Sequence, residues 1–245
     1  MTAPAVVARG LAQSFAGRPV FSGVSFTVAR REVFAILGGS GSGKSTLLRQ
    51  MVGLQEPSAG TVEVLGHDIR TGRAAVRRQI GVLFQSSALF GAMTLLENVM
   101  LPLQMLARLP REACEAVARG TLDQDGLADA AHLRPAEISG GMAKRAGIAR
   151  ALALDPPLLF LDEPSAGLDP VTSAGLDRLI LGLRDTLGAT FVVVTHELAS
   201  LLAIADRCIM LDAEAGGVVA EGDPRQLAER SDDPVVHGFF HREAA

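Results

Sequence analysis

The segment Gly38-Gly39-Ser40-Gly41-Ser42-Gly43-Lys44-Ser45 spaces glycines, a lysine and a hydroxyl in the pattern that grips a phosphate chain. Glycine lets the backbone fold tightly enough for successive N–H groups to converge on phosphate oxygens. A helix beginning near Lys44, with Thr46 in its first turn, adds the positive end of its dipole. Lys44 is then expected to reach the β- and γ-phosphates, and the Ser45 hydroxyl to ligate Mg2+. At ordinary glycine usage the pattern arises by chance in about one chain of this length in a hundred. The alternative is a flexible Gly/Ser turn with no ligand. Lysine usage argues against it, because of 23 basic residues only Lys44 and Lys144 are lysines. In a chain built on arginine, a lysine stands where a compact point charge suits a phosphate better than a planar fork.

Three further polar groups follow apolar runs. LLFLDEP (158–164) ends in Asp162 and Glu163. A strand ending this way carries its carboxylates to the sheet edge that bears the phosphate loop. Asp162 is the expected Mg2+ holder, directly or through water, and Glu163 the expected general base toward an attacking water. Taken alone, the run reads equally well as a strand that stops in charged turn residues. His196 follows TFVVVT (190–195) and is placed to donate to a γ-phosphate; a lone histidine is more often structural. Gln85 follows IGVLF (80–84) and could touch Mg2+ or the attacking water, its alternative being a plain turn residue.

These positions require a parallel sheet with crossover helices. EVFAILG (32–38) reads as a strand entering the Gly-rich loop, and KSTLLRQMVGL (44–54) as the helix leaving it. The runs at 80–84, 158–162 and 190–195 are β-rich and continuously apolar, the pattern of strands covered on both faces. Residues 171–188 carry helical spacing, with Gly188 as a C-terminal stop, and 217–221 read as a late strand. Residues of about 88–154 show helical patterns without a strand candidate and read as a helical subdomain inserted in the α/β core. The first 30 residues suggest short antiparallel strands about a Gly-Arg-Pro turn, and 232–245 a terminal helix after Pro234.

Composition narrows the function. The net charge of −4 disfavours a nucleic-acid partner. Cys114 and Cys208 lack metal-ligand spacing and read as reduced buried thiols. No signal-peptide pattern is expected at the N-terminus, and the longest apolar stretch, 88–109, is interrupted by Glu97, Asn98, Gln104 and Arg108. No lysine follows Asn, so the Asn-Lys-x-Asp base-reading motif of a GTPase is absent. His237 and His241 stand at i, i+4, but no third metal ligand is evident beside them. Leu89, Phe90, Met93 and Leu95 look like an exposed apolar cluster able to form a groove for a partner helix, or like ordinary helical core.

In order along the chain, GGSGSGKS, Gln85, ISGGM (138–142), LLFLDEP, SAGLD (165–169) and His196 resemble the ABC ATPase family over residues 1–230. The resemblance implies an ATP-hydrolysing domain over 1–231, working as a dimer with two ATP molecules sandwiched between copies. Phe15 would stack on adenine. Ser139, Gly140 and Gly141 would contact ATP held by the other copy, which suits a Ser-Gly-Gly turn opening a helix. Asp169 would lie at the dimer interface. Gly39, Ile138, Met142 and Phe15 depart from the residues common in the family, and none of these changes removes a phosphate ligand or the base. FQSSALFGAMTLLENV with SGGMAKRAGIARALALDP is similar to the ATPase of Mla-type phospholipid transporters. That likeness implies an integral-membrane permease, an MCE-domain protein and a small STAS-domain protein as partners. It also implies a place at the cytoplasmic face of the inner membrane and a tail (232–245) that contacts the second copy. An ABC ATPase for another solute, or one outside transport, shares the same engine.

Overall fold

A computed structural model describes residues 3–242. Two antiparallel strands, β1 (Val6–Phe15) and β2 (Arg18–Val28), lead into β3 (Val33–Gly38), which runs straight into the Gly-rich loop and α1 (Lys44–Met51). Strands β4 (Ala59–Val64) and β5 (His67–Asp68) then return to β1, making a four-stranded antiparallel sheet in the order β2-β1-β4-β5. A single helical turn, α2 (Arg73–Val76), precedes β6 (Ile80–Leu83).

Three helices follow: α3 (Leu95–Pro102), α4 (Arg111–Gln124) and α5 (Gly140–Leu152). Thr94 and Glu97 close a reciprocal capping box at the start of α3. Pro102 sits in its last turn, and the chain widens there into a π-helical turn over Leu103–Ala107. A ring without an N–H cannot continue an i to i−4 ladder, and a π turn relieves the mismatch. These helices bury their own cluster, including Leu95, Val99, Leu103, Leu122, Ala146 and Ala149.

The chain then re-enters the core through β7 (Leu158–Asp162), α6 (Pro170–Leu187), β8 (Thr190–Val194), α7 (Leu198–Ile204), β9 (Arg207–Asp212) and β10 (Gly217–Gly222). Two short helices, α8 (Pro224–Arg230) and α9 (Pro234–His241), close the described chain. The main sheet has the order β10-β9-β3-β8-β7-β6, parallel throughout except for the β9–β10 pair. Every residue of β3, β7 and β8 is buried, which explains their unbroken apolar runs. Gly188 ends α6 in the left-handed conformation, with φ of 67°.

Some expectations need correction. The first hairpin turns at Ala16 and Gly17, both at positive φ, whereas Arg18 and Pro19 already belong to β2. Proline is tolerated there because β2 is an edge strand. Leu95 belongs to the helical core and not to the surface. The tail forms the expected terminal helix from Pro234, and its Phe239 and Phe240 meet edge to face at 5.4 Å against this chain's own cluster around Leu37, Leu201 and Met210. Of the expected tail, residues 243–245 lie outside the described residues, as do residues 1 and 2 of the N-terminal segment.

Candidate active site

Parallel pairing decides what meets. Leu83 stands opposite Leu161, and Asp162 and Ile36 both stand opposite Val194. The C-terminal ends of β3, β6, β7 and β8 therefore share one edge, which carries the Gly-rich loop, Gln85, Glu163 and His196. Ser40, Gly41, Gly43, Lys44, Ser45, Thr46, Gln85 and Glu163 line one cavity of about 280 Å3 there, with Val20 on its flank.

The loop geometry depends on glycine. At Gly38 φ is 139°, and a β-carbon would come within 2.6 Å of the Ser42 hydroxyl. Gly43 caps α1 at φ of 94°, with the Phe21 ring 2.7 Å from where a β-carbon would stand. The Ser42 hydroxyl donates to the Gly39 carbonyl at 2.9 Å and stiffens the turn. Lys44 Nζ folds back to donate to the Gly38 and Gly39 carbonyls, each at 2.8 Å. Burial lowers the pKa of this ammonium, and the Glu163 and Asp162 carboxylates oppose the shift.

Ser45 Oγ donates to Asp162 Oδ1 at 3.4 Å. Burial raises the Asp162 pKa, the neighbouring Glu163 carboxylate adds to this, and Ser45, Arg49 and Lys144 pull it back. Glu163 is itself buried and adopts φ of 49°, an unfavourable region for a residue with a β-carbon. Its N–H donates to the Val194 carbonyl at 2.9 Å. Its Oε1 meets His196 Nδ1 at 2.8 Å, whereas Oε2 is buried with no protein partner. The imidazole is 65% exposed and so holds the carboxylate from the solvent side.

Lys144, which belongs to no phosphate or acidic motif in the sequence, joins the site from α5. It is 6% exposed, and its Nζ donates to the Gln85 carbonyl and, at 3.0 Å, to the Glu163 carbonyl. Its rarity was the available signal. Both lysines of the chain end at this sheet edge, opposite the two carboxylates.

Other expected residues lie elsewhere. Phe15 ends β1, half exposed, and does not line the cavity. Ser139 caps α5, its hydroxyl accepting from the Met142 N–H at 3.3 Å, and Ser139 and Gly140 are exposed. Gly141 faces α6, with Thr172 Cγ2 2.8 Å from where a β-carbon would stand, so any larger residue crowds that junction. It lines a second cavity of about 400 Å3 between the helical segment and the core, together with Asp125, Lys144, Arg145 and Thr172. Within one chain Ser139–Gly141 thus line no part of the phosphate-loop cavity. Asp169 is exposed and caps α6, accepting from the Val171 and Thr172 N–H groups at 3.0 Å each.

Among the described residues no three His, Cys, Asp or Glu side chains gather as a metal site; His237 and His241 stack at 4.0 Å, and His241 Nδ1 lies 3.0 Å from the His237 carbonyl. At the phosphate loop, Ser45, Asp162 and Gln85 bring together hydroxyl, carboxylate and amide oxygen. Such all-oxygen donors suit a hard cation that retains waters and phosphate oxygens. Both cysteines are free and buried, and burial pushes the Cys208 thiol up to about 12. A separate apolar groove of about 310 Å3 runs beside β6 and α3, lined by Phe84, Phe90, Leu101, Pro102, Met105 and Leu106. Phe90 and Met105 are largely exposed on it. No helix of the described residues is long and apolar enough to cross a membrane.

Residues 21–166 match the ABC transporter family. The methionine import ATP-binding protein MetN of Caulobacter vibrioides is 43% identical over 210 residues, covering 84% of this chain and 62% of the relative. The intermembrane phospholipid transport system ATP-binding protein MlaF of Escherichia coli is 40% identical over 227 residues, covering 91% of this chain and 83% of the relative. Among solved structures, the dimeric post-hydrolysis ATP-binding cassette MJ0796 with ADP and Pi superposes with a TM-score of 0.81 at 31% identity, covering 89% of this chain and 98% of that one.

Proposed function

This chain belongs to the ABC transporter family and is an ATPase of that family, and from that premise we propose that it powers phospholipid movement between envelope membranes through a membrane permease. One observation carries the lipid reading: the match to MlaF runs through 91% of this chain and 83% of that protein. The match to MetN leaves more than a third of that protein unaccounted for, yet its higher identity keeps another solute as the second reading.

In the proposed mechanism the backbone N–H groups of residues 39–45 and Lys44 bind the ATP phosphates, and Phe15 stacks on adenine. Ser45 and Asp162, with Gln85, would hold Mg2+, which when bound would neutralise phosphate charge. Glu163 accepts the proton of the attacking water. Its unpartnered Oε2 supports this role, because a buried carboxylate oxygen without a donor is costly unless a reacting group supplies one. His196 orients that carboxylate and can turn toward the γ-phosphate, and Gln85 positions the water. Ser139, Gly140 and Gly141 contact the ATP of a second copy, so each site is completed in trans, with Asp169 at the interface. The dimeric state of the related MJ0796 cassette supports this arrangement.

The groove around Phe90 and Met105 suits an amphipathic helix of the permease. We place the chain at the cytoplasmic face of the inner membrane, reached through that permease. MCE-domain and STAS-domain proteins complete the assembly, and the tail at 232–245 lies near the second copy. The α/β core over 1–231, with the helical subdomain of about 88–154, forms the ATPase domain. The test is mass spectrometry of proteins and lipids that co-purify with the chain from native membranes in mild detergent. A permease with an MCE-domain protein and bound phospholipid is expected. A permease with a soluble solute-binding protein would overturn the lipid reading and leave the ATPase intact.

A further inference from the structure

The helix that begins with Ser139-Gly140-Gly141 also carries Lys144, one turn further on. In the dimer proposed above the segment at its start serves the ATP of a second copy, whereas the Lys144 ammonium reaches the backbone of two residues of this copy's own site. Its ammonium spans two strand ends, donating to the Gln85 carbonyl beyond β6 and to the Glu163 carbonyl beyond β7. Close packing sets α5 against β6: at Gly147, also on α5, a β-carbon would come within 2.5 Å of Leu83 Cδ1.

Glu163 needs such an anchor. Its backbone sits at φ of 49° and is held by three bonds: its own N–H to Val194, Ala166 N–H to its carbonyl at 3.2 Å, and Lys144. The first two are short-range links inside the sheet edge and its turn. Lys144 brings in another element. Among the described residues it is the side chain that ties α5 to both the Gln85 and the Glu163 backbone.

We infer that Lys144 is a positioning residue that couples the two nucleotide sites. When Ser139–Gly141 engage the partner's ATP and α5 shifts, the ammonium carries that shift to the backbone of Glu163 and Gln85 in its own subunit. The base is then set for hydrolysis only when the neighbouring site is filled. Displacement of a catalytic group by about 1 Å can cost a factor of about 100 in rate, so a single strap suffices. This inference rests on the assignment of Glu163 as the base.

The test uses the full chain in its native transporter complex, with ATP turnover measured against ATP concentration. Lys144→Met is expected to lower kcat by about tenfold or more while the KM for ATP stays within about twofold, the signature of a group that acts after binding. The Hill coefficient should fall toward one. Lys144→Arg, with two or more donors, should recover most of the rate, and Lys144→Gln, with a shorter reach, should not. If Lys144→Met does not fold, the comparison of Gln with Arg carries the same criterion. Turnover and cooperativity unchanged in Lys144→Met, or equal losses in the Met and Arg variants, would overturn the coupling. Glu163→Gln run alongside separates the two assignments. Its collapse beside an active Lys144→Met sinks only the role of Lys144. Full activity of Glu163→Gln sinks the base, and the coupling with it.

Discussion

Replacing Asp125 by Asn should make the protein more stable, and more so as pH rises. Asp125 follows α4 and lines the cavity between the helical segment and the core. It is 5% exposed, and its Oδ2 has no partner. Burial pushes its pKa from 3.8 up to about 7, against the attraction of the Arg145 guanidinium. Between those values the folded protein keeps a proton that the unfolded chain has released, so stability falls as pH rises and levels off above about 7. About 3 pH units at about 1.4 kcal/mol each set a ceiling of about 4 kcal/mol on the loss. Roughly a third of it has accrued at pH 5, and all of it at pH 8. Asparagine carries no charge at either pH, so the advantage of Asp125→Asn should be larger at pH 8 by up to about 3 kcal/mol, or about 6–10 °C in melting temperature. Chemical denaturation of both proteins at the two pH values measures it. An equal difference at pH 5 and pH 8, or a variant less stable than the parent at pH 8, would refute the claim that this carboxyl is buried at a cost.

The remaining predictions concern turnover and assembly. Glu163→Gln should keep ATP and Mg2+ binding and lose turnover by a factor of about 100 to 10,000, because an amide cannot accept the water's proton. Its trapped dimer should be visible by size-exclusion chromatography with ATP. Phe90→Asp places a charge on the apolar groove without touching the phosphate loop. Basal ATPase activity should be unchanged, whereas co-purification with the permease and any stimulation by it should fall by about tenfold or more, since a large aromatic anchor can carry about 2 kcal/mol or more of an interface.

The parallel core could be read from sequence because β3, β7 and β8 each carry at least four apolar residues in a row, and a glycine loop, an acidic pair or a histidine follows close on each run. β9 is harder to read: its run CIML is as long as the apolar run of β7, but no glycine loop, acidic pair or histidine follows it to mark a functional strand end. Arg207 is nonetheless accommodated, pairing with Glu32 at 3.1 Å and Glu221 at 2.6 Å at the sheet margin. β4 and β5 are short and partly exposed, β4 paired with distant β1 and β5 with β4, and their neighbours set their conformation more than their own residues do. At the site, the spacing of the Gly-rich loop is local and therefore legible. The Lys144 contacts are not, because they join residues 59 and 19 positions away. The sequence also suggested that Leu89, Phe90, Met93 and Leu95 share a surface. Leu95 turns inward because it opens α3 just after the capping box, on the face that packs against the other helices.

The way Lys44 is held bears on how the site empties. Its ammonium has two carbonyl partners within reach, at Gly38 and Gly39. Binding ATP therefore exchanges bonds to neutral acceptors for stronger bonds to an anion, and the net gain is only the difference, about 1–2 kcal/mol per bond. When the cleaved phosphate departs, the lysine has partners to return to, and no bare buried cation holds the product back. A loop whose own carbonyls can satisfy its cation thus favours repeated cycles over tight retention, as a motor must.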